Sequence, residues 1–208
     1  MQPITPPKDL VPVTARGEAT RAKLIAAAEA EFTEKGFHAA SVNSITGRAG
    51  VGQGTFYLYF HSKDEILVTL VRDCGRSLRK QMVERSAGAR GEGERARLQV
   101  FLDFVREHPG ILRIVQECQA VDEGVYRQHF ELLADVYAAG MREAIQHGTM
   151  APGDVEGRAW AMLGIGHFLG LRWCVWQNRL PEPRVVNEAI DLFLPAAAAG
   201  RPSRAARA

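Results

Sequence analysis

The side chains best equipped to bind another molecule are clustered in residues 39–65, AASVNSITGRAGVGQGTFYLYFHSKDE. Gln53 carries an amide that can meet adenine N6 and N7 in bidentate fashion, the chemistry of base reading in a DNA major groove. Ser41, Tyr57 and Tyr59 offer hydroxyl donors and Lys63 an ammonium. Such groups bind phosphate oxygens and fix register without reading sequence. Gly54 has no side chain, so the backbone can approach a partner closely there. Gly52 leads into this run, Thr55 flanks it, and Leu58 can meet a thymine methyl group. This is recognition chemistry, not bond-making. The chain shows no Ser/His/Asp set, paired-carboxylate motif or metal-ligand spacing, and Cys118 has no activating base near it in sequence.

A reader of this kind needs a brace helix, a tight turn and a second short helix whose N-terminal end points into the groove. Ser41–Ala49, Gly50–Gly52 and Gln53–Tyr59 fit that plan. At 100° per residue Phe56 is the inward anchor of the second helix, and the outward face centres on Gly54 and Leu58. Ser41 can cap the first helix, whose inward face is Val42, Ile45 and Ala49. Before the pair, Leu24, Ile25, Ala28 and Phe32 make one helical face, with Lys23, Glu31 and Glu34 away from it, and Gly36 is the stop. After it, Ser62 with Glu65 forms a capping box that opens a long helix to about Arg85. Lys63 stands in the first turn of that helix, where a cation opposes the macrodipole by roughly 0.3–1 kcal/mol; a phosphate lying there would reverse the sign. The spacing alone also fits two short helices of any helical protein. A G-x-G-x-x-G nucleotide loop is excluded, because position 55 is Thr and no apolar strand precedes the glycines.

The runs TRAKLIAAAEAEFTEKGF and SVNSITGRAGVGQGTFYLYFHSKDEIL closely resemble the DNA-binding domain of TetR-type bacterial transcription regulators. The match covers about residues 18–70. It implies an all-α protein of about nine helices: a three-helix helix-turn-helix head, a linking fourth helix and a larger helical body for ligand binding and dimerisation. By that resemblance Tyr57 takes the place of the family's tyrosine at the end of the recognition helix, and Lys63 that of its phosphate-binding lysine. Ser41 matches the family's small cap. Gly52 departs from the pattern, standing where many members have Ser, so the recognition helix lacks a side-chain cap. The expected DNA contacts are therefore Ser41, Gly52, Gln53, Gly54, Thr55, Tyr57, Tyr59 and Lys63. No cofactor, metal or catalytic residue is expected.

Downstream, the polar stretch SAGARGEGE is the candidate boundary between two parts of the chain. Every later segment reads as helix: Leu98–Val105 broken before Pro109, Ile111–Gln119, Tyr126–Ile145 stopping near Gly148, Asp154–Asn178, and Val185–Leu194. On a wheel of Asp154–Asn178, Trp160, Leu163, Gly164, His167, Leu171 and Cys174 form one stripe. Met162, Ile165, Leu169, Trp173 and Trp176 form nearly the opposite one. A helix apolar on both sides must be covered on both sides. Either it is the centre of a monomeric bundle or a second subunit covers one face. The resemblance implies the second, a homodimer through 154–178 and 185–194 that reads a palindromic DNA operator and is released by a small-molecule inducer. Phe101, Arg113, Gln116, Tyr137, His167 and Trp173 are the candidate ligand contacts. The stretches VDEGVYRQHF and GIGHFLGLRWCVW faintly resemble bodies of TetR-type regulators that sense acyl-coenzyme A thioesters, which points to a largely apolar ligand.

Composition sets the remaining bounds. The 208 residues carry a net charge of +2, with +2 on residues 1–63, three further arginines (201, 204, 207) in the tail and −3 in between. A mildly basic front on a mildly acidic body permits nucleic-acid binding without demanding it. Cys74, Cys118 and Cys174 are widely separated, which fits a reducing cytoplasm and argues against a zinc site. The start has no apolar leader core, and the one long apolar run, Ala159–Trp176, is interrupted by His167, Arg172 and glycines, so it reads as a buried helix rather than a membrane span. The expected organisation is an unstructured arm (1–15), a helix-turn-helix domain (16–62), a ligand-binding and dimerisation body (63–198) and an unstructured tail (199–208). Two alternatives from other classes stand beside it: a small helical enzyme, and a thiol protein sensing redox state.

Overall fold

The computed structural model describes residues 14–87 and 92–193. The expected unstructured arm, apart from Thr14 and Ala15, the expected tail and the middle of the Gly-rich boundary lie outside these residues.

Thr14 opens α1 (Ala15–Lys35) by accepting the Gly17 N–H at 3.1 Å. Gly36 ends it at φ +83°, a conformation that an L side chain rarely adopts. α2 (Val42–Ala49) begins with a reciprocal cap, in which Ser41 and Ser44 each accept the other's backbone N–H at 3.0 and 3.1 Å. Gly50, at φ +69°, closes α2 in the left-handed region. α3 is Gln53–Tyr57, shorter than expected; Leu58 caps it, and Tyr59 and Phe60 follow in a turn bonded to the Phe56 carbonyl. As expected, Gly52 gives α3 no side-chain cap. Phe56 and Phe60 are buried against each other with ring centroids 5.7 Å apart, and Arg21 of α1 lies over the Phe60 ring at 5.4 Å.

α4 (Lys63–Ser86) is the shared beam, packing on α1 at its start and on α5, α6 and α7 beyond. Its cap differs from the expected box in one respect. Ser62 accepts the Glu65 N–H at 3.1 Å, but the Glu65 carboxylate reaches one residue further back, to the His61 N–H at 2.5 Å. The body continues with α5 (Gly93–Glu107), α6 (Ile111–Val121), α7 (Glu123–Gln146), α8 (Val155–Leu169) and α9 (Pro183–Phe193). Among the described residues the fold is all-helical, and no helix is long and apolar enough to cross a membrane.

Two sequence expectations change here. Glu31 was placed on the outer face of α1, yet its side chain is only 3% exposed, because Lys35 (2.7 Å) and Arg48 (2.8 Å) neutralise it. The helix Asp154–Asn178 is not uniform: after Leu169 it widens into a π-helical turn, Gly170–Trp176, and Asn178 ends it at φ +52°. Its inward face is Ala159, Met162, Leu163, Gly166, Gly170 and Cys174; Leu163 and Cys174 come from one predicted stripe, Met162 from the other, and Ala159, Gly166 and Gly170 from neither. The reason is close approach, since a Cβ on Gly166 would stand 3.1 Å from the Phe101 ring and one on Gly170 3.5 Å from it. Large side chains are displaced to the opposite face, where Trp160 (45%), Phe168 (69%) and Trp176 (68%) are exposed.

Candidate nucleic-acid interface and ligand cavity

α3 presents its outer face without obstruction. Gln53, Gly54, Tyr57 and Leu58 are exposed, and Thr55 and Tyr59 half-buried. No atom lies within 4 Å of a Cβ placed on Gly52 or Gly54, so the backbone itself forms the surface there. The Gln53 amide makes a single long bond, 3.4 Å to Asn43, and is otherwise available. Thr55 and Tyr59 also border a polar groove shared with Thr14, Arg16, Gly17 and Thr20 of α1. Ser41 is exposed but its hydroxyl is engaged in the α2 cap.

The brace beneath α3 is electrostatic. Arg48 on α2 spans Glu34 and Glu31 of α1, with bonds of 2.9 and 2.5 Å to the first and 2.8 Å to the second. Bonds from Lys35, Ser44 and Arg48 hold the Glu31 carboxyl down at about 2, against 4.5 in an ordinary glutamate. Lys63 has a different setting from the expected one. Its ammonium donates to the carbonyls of Phe37 (2.7 Å), Ala40 (2.8 Å) and His38 (3.3 Å), and lies 4.4 Å from the Phe37 ring centroid. Three carbonyls answer the unfavourable charge at the start of α4 with no phosphate needed, and Lys63 thereby fixes the loop that leads into α2.

In the body, α4 to α8 line a narrow apolar cavity that opens to the surface. Leu78, Phe101, Phe104, Val105, Ile111, Leu112, Val115, Phe130, Leu133 and Leu163 form its walls, and Gln116, His129 and His167 are its polar residues. Of the six candidate ligand contacts it gathers Phe101, Gln116 and His167. The other three lie elsewhere. Arg113 turns away from the cavity and donates to the carbonyls of Phe32 and Thr33 in the head, the latter at 2.9 Å. Tyr137 is fully buried near Glu94 and Arg97. Trp173 is half-buried in the π-helical turn beneath the guanidinium of Arg172.

Arg113 belongs to a seam between head and body that sequence reading missed. Glu117, one turn on, accepts the Phe37 N–H at 2.9 Å. A Cβ on Gly110 would overlap the Thr33 side chain, so the turn before α6 is pressed against α1. His108 meets Glu29 at 2.6 Å, and that carboxylate raises its pKa. These pairs are about 80 residues apart in the chain, and no local pattern announces them. The three thiols are all buried and burial raises each, Cys74 to about 12 and Cys118 to about 11, so none is an activated thiolate.

A helix-turn-helix head carried on a separate helical body with its own cavity defines a class of DNA-associated regulator, and comparison with known proteins agrees. The family model for bacterial regulatory proteins of the tetR family matches residues 24–70. YhgD, an HTH-type transcriptional regulator of Bacillus subtilis, is 30% identical over 163 residues, covering 74% of this chain and 84% of that protein. YdgC of the same organism is 43% identical over 65 residues, a match that spans 33% of its length. The structure of the Bacillus subtilis regulator FadR in complex with stearoyl-CoA superposes with a TM-score of 0.69 at 20% identity, over 84% of this chain and 97% of that one. The chain belongs to the TetR family and is a transcriptional regulator, not an enzyme.

Proposed function

We propose that the protein is a homodimeric repressor that binds a palindromic DNA operator through residues 16–62 and is released when a largely apolar ligand enters the cavity of the body, residues 63–198. One observation carries the ligand control. α6 lines the cavity with Ile111, Leu112, Val115 and Gln116 on one face and grips the head with Arg113 and Glu117 on another. A ligand that repositions α6 must move the head or break that grip. A ligand shifts the equilibrium only by its differential affinity for the two states, typically with about 1–3 kcal/mol of coupling.

The free face of α8 supports the dimer. Trp160, Phe168 and Trp176 leave apolar side chains exposed on that face, and Leu192 of α9 is 76% exposed; a second copy would cover such surface. This narrows the expected interface to the Trp160–Phe168–Trp176 side. Two heads on a two-fold axis then meet half-sites about one DNA turn, roughly 34–36 Å, apart. The apolar cavity and the stearoyl-CoA complex of the structural neighbour favour an acyl-coenzyme A or related acyl ligand.

The test is binding to the palindromes around its own gene, measured by mobility shift with and without a long-chain acyl-CoA. Gln53→Ala and Tyr57→Ala should each weaken the shift at least tenfold. Undiminished binding in both would refute the assignment of α3 as the reader.

A further inference from the structure

None of the residues that line the cavity carries a charge. Leu78, Val105 and Leu133 are representative of the deep wall, each 3% exposed or less. At the rim the exposed Gln116 bonds to Gln119 at 2.8 Å and to the Tyr126 hydroxyl at 3.4 Å, all uncharged groups. On α6, which carries Gln116, the ionic residues Arg113 and Glu117 are committed to the head. His108, whose ring stacks 4.6 Å from the wall residue Phe104, points to Glu29 of α1. Inside, the His129 ring holds its Nδ1 against α4, 3.0 Å from where a Cβ on Gly75 would stand, so that nitrogen does not face the cavity. Burial keeps the His129 ring neutral, with its pKa down at about 4, and lowers that of His167 as well; no neighbouring charge contributes to either shift.

An ionised carboxylate taken into such a site keeps neither its water nor a counter-charge, and the usual outcome is that it binds a proton first. A neutral amide, ester or hydroxyl loses far less, and one hydrogen bond restores most of it. We propose that the cavity selects for an uncharged group: an alkyl or acyl chain ending in, or joined through, a neutral hydrogen-bonding function such as an amide, ester, thioester or alcohol. This rests on the cavity being the ligand site, as proposed above. It separates a chain carried as a thioester, whose charges lie on a remote carrier that stays outside, from the same chain as a free acid.

Calorimetric titration of the intact protein with decanamide and with decanoic acid at pH 6, 7 and 8 tests it. Decanamide should bind with one Kd at all three values. Decanoic acid should be at least about tenfold weaker at pH 7 and lose about tenfold per pH unit, since each molecule must take up a proton to enter. Gln116→Arg, a change at an exposed rim position, should strengthen decanoic acid at pH 8 by about tenfold and leave decanamide unchanged. Acid binding that is flat with pH and within tenfold of the amide overturns the selectivity while leaving the cavity reading intact. If neither compound binds, both the selectivity and the cavity reading fail.

Discussion

Head and body are built by opposite means. The head is small, and charge and caps hold its parts: Glu31 and Arg48 join α1 to α2, Lys63 ties the intervening loop by three carbonyls, and Ser41 and Ser44 cap each other. The body is larger and apolar, with an uncharged cavity at its centre and exposed tryptophan and phenylalanine side chains outside. The division suits the work of each. A reader of DNA needs a rigid outline, which short bonds between neighbouring elements supply. A sensor needs room and packing that can shift, which apolar contacts tolerate better than directed bonds do. Conditions that attack charge should therefore strike the head, and those that attack packing should strike both.

The largest expected effect breaks the head through the apolar anchor of α3. Phe56→Ala empties a fully buried ring site and should cost about 3–5 kcal/mol. All three tryptophans lie in the body, so tryptophan fluorescence should keep its native transition while amide exchange in residues 15–60 rises to the unfolded limit. Simultaneous loss of both signals would show that the two regions melt as one.

Next comes acid. Glu31 has its folded pKa lowered to about 2 from 4.5, so its contribution is fully present above about 4.5 and is lost as pH falls from there towards 2. The head should open in that window ahead of the body, as read by exchange or by methyl resonances of Ile45 and Leu24. Glu31→Gln, which leaves Lys35 without its counter-charge and Arg48 with Glu34 alone, should cost about 1–3 kcal/mol at neutral pH and flatten the acid dependence.

What was legible in the sequence follows the same division. Ser41, Ser62, Gly36 and Gly50 act within three or four residues of themselves, and each was found where local pattern put it. Phe56 inward and Gln53, Gly54 and Tyr57 outward followed from helical period alone. The bonds that needed folding to form were not legible. Glu31 pairs with Arg48 across 17 residues, and Arg113 reaches the head across about 80, so an expected ligand contact stands on the seam between head and body. The face of α8 was misread because a wheel weights large side chains, whereas Gly166 and Gly170 decide which side goes in by admitting Phe101 and Val105.

The seam offers a milder test in the opposite pH direction. His108 gains Glu29 on folding and its pKa rises above 6.5, so the contact is fully present below 6.5 and weakens as pH climbs through the raised value. The pair is about a third exposed, so it should be worth less than about 1 kcal/mol. The protection of the amides at 108–111, taken as exchange relative to the intrinsic rate at each pH, should fall between pH 6 and 8.5 in the wild type and be pH-independent in His108→Gln. Glu117→Gln, which keeps an acceptor for the Phe37 N–H, should leave this dependence in place.

The smallest effect probes the missing cap. Gly52 has φ −73° and ψ 154°, ordinary extended backbone for a residue that precedes a helix, and a Cβ there would meet nothing within 4 Å. A serine therefore fits without strain, and its hydroxyl can accept an N–H from the first turn of α3, which now has no side-chain partner. Gly52→Ser should stabilise the head by only a few tenths of a kcal/mol, because glycine is itself a tolerable cap. In a chain of this size that moves the transition by about 1 °C or less, so head exchange rates, not the calorimetric midpoint, are the sensitive measure. A larger gain would mean that α3 is frayed in the free protein, and that the reader, unlike the rest of the head, is ordered by what it binds.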